Sequence, residues 1–256
     1  MQHPRKILTF TLAVSIAALS ARASIAQDHD HGHQAHENQH AQKAENAAEK
    51  RIGDPYPLAE DVVNGESLAE IDKPVVFLLH GREIRFTDEK SLETFKAHTE
   101  EYLIKIDDQI IKQQTPLYPM ETCLVSGEQL GAMGDPYDIV FGNRLVQLCC
   151  KGCVSKFKKD SEKYLDTLNQ AVIKKQLETY PMQTCVVSGE TLGGMMGEPI
   201  DYVAANRLVR FCCKGCIKKF EKKPAKYLMM VASHEKQGAE SDEGGQMHNH
   251  EDHGGG

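Results

Sequence analysis

The sequence predicts an α+β chain of small tandem modules, each a knuckle-like turn, a β-hairpin and a helix, joined by helical connectors and flanked by disordered histidine-rich tails. Three observations predict this. A long segment returns at an offset of 62 residues, and the 8 cysteines fall at matching places in two of the copies. Aromatic residues make up only 6% of the 256, with no tryptophan, which is too little for one large core and suits several small ones.

The repeat is read from two blocks. Tyr118-Pro119-Met120, Thr122-Cys123 and Ser126-Gly127-Glu128 return as Tyr180-Pro181-Met182, Thr184-Cys185 and Ser188-Gly189-Glu190. Asn143-Arg144-Leu145-Val146 and Cys149-Cys150-Lys151-Gly152-Cys153 return as Asn206-Arg207-Leu208-Val209 and Cys212-Cys213-Lys214-Gly215-Cys216, one residue having entered the Gly193–Gly197 loop. The same offset applied backwards exposes a third copy. Tyr56-Pro57 and Gly65-Glu66 align with the Tyr118 block, and Phe86, Phe95, Tyr102 and Leu103 align with Leu148, Phe157, Tyr164 and Leu165. Its cysteine positions are Asp61, Thr87, Asp88 and Ser91, so this copy must fold without thiolates, and a role in packing or partner contact is expected of it. The modules are bounded as 54–115 (the cysteine-less copy), 116–178 and 179–232.

Within a module the elements follow in order. A Pro-led turn enters a short apolar segment, Cys123-Leu124-Val125, closed by Ser126-Gly127. Two β-rich runs, Tyr137 to Phe141 and Arg144 to Leu148, are separated by Gly142-Asn143, a pair suited to a tight hairpin turn. A helix is expected from near Cys150, with Val154, Phe157 and Leu165 on one side and Lys156, Lys158, Lys159 and Lys163 in water. Connector helices are expected over Leu168 to Thr179 and, in the first copy, over Ile104 to Gln114.

The ends read differently. Residues 1–23 have the pattern of a secretory signal: Arg5 and Lys6, an apolar run from Ile7 to Leu19, then Ala21-Arg22-Ala23 as a small-x-small cleavage site. The run is too short to span a bilayer as a helix, and no later stretch is long enough. The expected product is exported, periplasmic in a bacterial cell, and acidic. A formal charge of −7 argues against a nucleic-acid partner. Residues 24–53 and 233–256 are expected to be disordered, being poor in apolar residues. They carry His29, His31, His33, His36 and His40 at one end and His248, His250 and His253 at the other, interleaved with carboxylates. Imidazoles in that density suit weak binding of zinc, copper or nickel, the alternative being a solvated polar tail.

The cysteines carry the strongest chemistry. All of them, Cys123, Cys149, Cys150, Cys153, Cys185, Cys212, Cys213 and Cys216, are candidate metal ligands. Residues three or four apart share a helix face, so Cys149 with Cys153, or Cys150 with Cys153, can converge on one ion, whereas adjacent Cys149 and Cys150 point apart. A helix N-terminus favours thiolate, and thiolates select soft or borderline ions such as zinc, copper(I), cadmium and mercury.

The series of a knuckle cysteine followed by Ser-Gly, a hairpin, Cys-Cys-Lys-Gly-Cys, Phe and Tyr-Leu resembles the TRASH/YHS domains of the treble-clef class. It covers Tyr118 to Leu165 and Tyr180 to Leu228, and more faintly Tyr56 to Leu103. The resemblance implies treble-clef-like modules concerned with metal sensing, trafficking or heavy-metal resistance. It also implies the ligand sets Cys123, Cys149, Cys153 and Cys185, Cys212, Cys216, with Cys150 and Cys213 as extra thiols. Many treble clefs carry a second knuckle cysteine where this chain has Ser126 or Ser188. The fourth ligand is therefore left open among Cys150 or Cys213, water, a tail histidine or nothing.

The expected function is to bind, buffer or traffic a thiophilic transition metal, zinc or copper, in contact with a metal exporter or another envelope protein. Two alternatives stand beside it: a thiol/disulfide redox module, since Cys150-Lys151-Gly152-Cys153 is a Cys-x-x-Cys at a helix start, and a structural-zinc interaction scaffold. No phosphate loop, nucleophile elbow or His-Glu-x-x-His helix is present, and an enzyme is not expected. His80 and His98 lie in the cysteine-less copy and read as surface residues. The Met195-Met196 pair, with Met133 as its counterpart, reads as part of a flexible turn.

Overall fold

The computed structural model describes residues 50–132 and 134–243, with side chains through Lys236. The signal segment 1–23, Met133, and His29, His31, His33, His36, His40, His248, His250 and His253 lie outside the described residues. The six strands found pair as three separate antiparallel hairpins: β1 (Val75–Leu79) with β2 (Arg82–Phe86), β3 (Tyr137–Phe141) with β4 (Arg144–Leu148), and β5 (Ile200–Ala204) with β6 (Arg207–Phe211). Helices follow each hairpin in pairs: α1 (Glu89–Ala97) and α2 (Thr99–Gln114), α3 (Gly152–Lys159) and α4 (Ser161–Gln176), α5 (Lys214–Lys222) and α6 (Pro224–Glu243). The architecture is thus α+β. Among the described residues no helix is long and apolar enough to cross a membrane.

Each hairpin closes through two residues at positive φ: His80 and Gly81, Gly142 and Asn143, Ala205 and Asn206. That backbone matches the right-handed twist of the flanking strands. Gly142 is required for space as well, because a Cβ there would lie 2.5 Å from the Ile52 carbonyl oxygen.

One continuous helix from Cys150 is not what forms. Asp160 leaves helical geometry (φ −141), its N–H returning to the Phe157 carbonyl at 3.2 Å, and the chain restarts as α4 at Ser161. Leu165 therefore belongs to the connector, which begins before Leu168. The break brings Tyr164 onto Phe157, with ring centroids 6.0 Å apart. The equivalent breaks fall at His98 and Lys223.

Each copy has its own small apolar core, and a fourth, smaller cluster of Val172, Val203 and Leu208 packs α4 against the third hairpin. Phe86 and Phe95 meet at 5.2 Å in the first, Phe157 and Phe141 at 5.2 Å in the second, and Phe211 and Phe220 at 5.5 Å in the third. Polar locks join the copies. Gln114, at the end of α2, donates to Asn143 O (3.0 Å) and accepts from Leu145 N (2.9 Å). Gln176, at the end of α4, repeats the lock on Asn206 O (2.9 Å) and Leu208 N (2.8 Å). Arg85 of the first copy donates to the Glu221 and Lys222 carbonyls at the end of α5 (2.6 and 2.5 Å), so the third copy is tied back to the first.

Two boundaries differ from the sequence reading. Arg51 pairs with Glu83 and Glu221, and Ile52 N donates to Gly81 O, so the chain is engaged before residue 54. Helix α6 runs past residue 232, because Val231 still faces the third core and Arg207 pairs with Glu235.

Candidate metal centres

The knuckle is built identically three times. Cys123 N donates to Glu128 O (2.7 Å) and Gly127 N to Cys123 O (2.9 Å). Cys185 makes the same pair with Glu190 and Gly189 (2.8 and 2.8 Å), and Asp61 with Glu66 and Gly65 (2.9 and 2.8 Å). Gly127, Gly189 and Gly65 sit at φ 75 to 77, where a side chain would be strained. The hydroxyl of Tyr118 accepts from Gln147 N and that of Tyr180 from Arg210 N, both at 3.1 Å, holding the chain before each knuckle against its hairpin.

The next cysteines arrive from the far end of the hairpin. Cys149 follows β4 directly and lies in the bend before α3, not on the helix, so its approach to Cys153 comes from the strand-to-helix turn rather than from a shared helix face. Cys123, Cys149 and Cys153 converge with their sulfurs all within 4.8 Å of one another, as do Cys185, Cys212 and Cys216. The Cys149–Cys153 and Cys212–Cys216 sulfurs are each 3.7 Å apart. Tetrahedral zinc at about 2.3 Å from each thiolate sets its sulfurs roughly 3.8 Å apart, whereas a disulfide needs about 2.05 Å. All eight cysteines are free, and each triad could hold a metal ion.

Cys150 and Cys213 lie beside these triads. The Cys150 sulfur is 3.9 Å from both Cys149 and Cys153, and that of Cys213 is 3.8 Å from Cys216, but neither joins the group that includes the knuckle cysteine, Cys123 or Cys185. Both are partly exposed, while Cys123, Cys153, Cys185, Cys212 and Cys216 are buried. Cys213 is the N-cap residue of α5.

The electrostatics divide the thiols. Burial alone would raise the Cys123 thiol, but hydrogen bonds from the Ser126 hydroxyl and the backbone N–H groups of Ser126, Cys149 and Val125 bring it down to about 6. Burial opposes ionisation at Cys185 too, and Ser188 with the N–H groups of Cys212, Ser188 and Val187 lowers it to about 7. Cys153 and Cys216 are pushed up to about 12, first by burial and then by neighbouring thiols. Cys150 is lowered by the Cys149 thiol and by the N–H groups of Gly152 and Cys153. Cys213 is lowered by the N–H and thiol of Cys216 and the N–H of Gly215.

The knuckle serines are the residues that sequence reasoning passed over, having treated them only as missing cysteines. Ser126 Oγ lies 3.3 Å from Cys149 Sγ, and Ser188 Oγ lies 3.3 Å from Cys212 Sγ. The signal was available: the first copy has Asn64, another hydrogen-bonding residue, at the aligned position. Asn64 Nδ2 donates to Thr87 Oγ1 (2.8 Å) and Ser91 Oγ (3.2 Å). Asp61 Oδ1 accepts from Val63 N (2.9 Å), and Asp61 Oδ2 from Thr87 N (2.8 Å) and Thr87 Oγ1 (3.1 Å). Side-chain hydrogen bonds thus fill the place of the triad.

His80 and His98 are exposed and join neither centre, and Met195 and Met196 are exposed in the loop of the third copy. Comparisons with protein-family models, with curated proteins and with solved structures find no match.

Proposed function

We propose that this chain binds thiophilic transition-metal ions, zinc or copper, one in each cysteine triad, and buffers or passes them on. The observation that carries this reading is the spacing: three sulfurs per centre at metal-bridging rather than bonding distance, built twice by the same local chemistry. Cys123, Cys149 and Cys153 hold one ion, and Cys185, Cys212 and Cys216 the other. Three protein ligands leave a coordination position for an exchanging group, which fits carriage better than a closed structural site. The modules are of the TRASH/YHS, treble-clef kind, and the first is a relative that has given up its ion. The chain works as an exported binding protein rather than an enzyme, its histidine-rich ends gather ions, and a metal exporter or another envelope protein receives them.

Elemental analysis of protein purified under reducing conditions tests this. Wild type should carry two ions per chain, matching the two triads, Cys123→Ser and Cys185→Ser one each, and the double variant none. Equal metal content in all four would defeat the assignment.

A redox reading is favoured by one observation. Cys150, partly exposed and lowered, precedes the buried and raised Cys153 by three residues, the asymmetry of a dithiol exchange pair. Thiol counting on the metal-free protein in air separates the two. A Cys150–Cys153 disulfide that forms reversibly, in protein that never takes up metal, would favour redox chemistry.

A further inference from the structure

The cysteine-less copy shows what the fold asks of each cysteine position. Where the ligand positions become Asp61, Thr87 and Ser91, the replacements bond among themselves and to the knuckle. Asp88, aligned with Cys150, does something else: it is the N-cap of α1, and its Oδ1 accepts from Ser91 N at 2.8 Å. The aligned thiols make no such side-chain cap: Lys151 is the N-cap of α3 and Cys213 that of α5, and the Cys153 and Cys216 N–H groups go to the Cys150 and Cys213 carbonyls, both at 3.1 Å. The first copy thus caps its helix with a carboxylate, and the cysteine-bearing copies put at the same position a thiol that does no capping.

The choice of sulfur has a geometric counterpart. Cys150 sits on the exposed side of its triad, 3.9 Å from two of the three sulfurs, and Cys213 lies 3.8 Å from Cys216. A sulfur so placed can reach an ion held by the triad after a small rotation, while still facing water.

Resting on the metal-binding reading above, we propose that Cys150 and Cys213 are exchange thiols: placed beside the triad and partly exposed, they carry the ion from it to an incoming thiol-bearing acceptor. Each metal–sulfur bond broken in the chain is matched by one formed to the acceptor. The protons given up by the acceptor thiols pass to the released sulfurs that hold them, Cys153 or Cys216, and otherwise to solvent, and no electrons move. The partner is thus a protein or small molecule that presents thiols.

The test uses the full chain loaded with zinc, with dithiothreitol as acceptor and protein-bound zinc read by elemental analysis after rapid desalting at timed intervals. The paired variants are Cys150→Asp with Cys213→Asp, which installs the capping residue of the first copy, and Cys150→Ser with Cys213→Ser. Both should keep the zinc content of wild type, with affinity within about threefold, and slow transfer to dithiothreitol by at least about tenfold. Zinc content or affinity lost in both pairs would make these cysteines resident ligands and overturn the proposal. Transfer at the wild-type rate would overturn it too, leaving the metal reading intact. A wild-type chain that takes up no zinc and no copper would overturn both.

Discussion

A single position in the knuckle shows what the chain demands of its residues. Backbone N–H groups converge there on whatever side chain follows Glu60, Thr122 or Thr184, and an anion satisfies them: the Asp61 carboxylate in one copy, the Cys123 and Cys185 sulfurs in the others. The knuckle thus prepares a thiolate before any ion arrives. The pH dependence of loading follows with a definite sign. Metal displaces the proton of Cys153 or Cys216, each raised to about 12, so affinity at either centre should rise by at least about tenfold per pH unit near neutrality. As pH falls, the knuckle thiolate becomes protonated as well, below about 7 at Cys185 and below about 6 at Cys123. The Cys185 centre should therefore release its ion at the higher pH. Zinc retention followed from pH 8 to about 5 in Cys123→Ser and Cys185→Ser checks this, each variant reporting the centre that remains. Identical release curves, or the reverse order, would refute it.

At the scale of elements, the three knuckle–hairpin–helix units share a backbone and differ in what ties the knuckle to the helix start. In the first, Asn64 bridges Thr87 and Ser91, and Asp61 holds Thr87, so the tie is made of hydrogen bonds. In the others only the Ser126–Cys149 and Ser188–Cys212 contacts stand in their place, and an ion in the triad would supply the rest of the tie. Stripping metal at neutral pH should leave amide exchange at Val63 and Thr87 unchanged while speeding it at Val125 and Cys149, and at Val187 and Cys212, by at least about tenfold. Hydrogen exchange with and without chelator reads this directly. Uniform protection in all three units would mean that the knuckles are held by packing alone. Much of this level was legible in the sequence. The strands Tyr137–Phe141 and Arg144–Leu148 and the turn at Gly142-Asn143 coincide with those read from β-rich runs and turn chemistry, because a two-residue hairpin is a local structure. The convergence of Cys123 on Cys149 and Cys153 was legible through the repeat and the family resemblance. The helix break at Asp160 was not, since no glycine or proline marks it and the stacking of Tyr164 on Phe157 that goes with it is a tertiary contact.

At the scale of the molecule, the described residues form three small cores joined by an apolar contact of Val172 with Val203 and Leu208 and by polar groups, and the central polar group is Asp54, which no motif marked. Its carboxylate accepts from Arg144 Nε (2.6 Å) and Nη2 (2.7 Å) and from Ala205 N (2.7 Å), while its own N–H donates to Gly142 O (2.7 Å). The first residue of the first copy thereby grips the hairpin turns of the second and third. Such a role is invisible in sequence because it depends on where three turns meet, not on any local pattern. Arg144 is 3% exposed, so removing its partner strands a buried charge. Asp54→Ala should then cost about 3–5 kcal/mol in urea unfolding. A replacement of both partners separates charge from shape: Asp54→Leu with Arg144→Met should recover most of that loss, since a well-packed apolar pair commonly matches a buried ion pair. Zinc content per folded chain should stay the same throughout, because both triads lie in the knuckle and helix-start regions rather than at the hairpin turns. A loss below about 1 kcal/mol for Asp54→Ala would show that the glutamine locks at Gln114 and Gln176 suffice to join the copies.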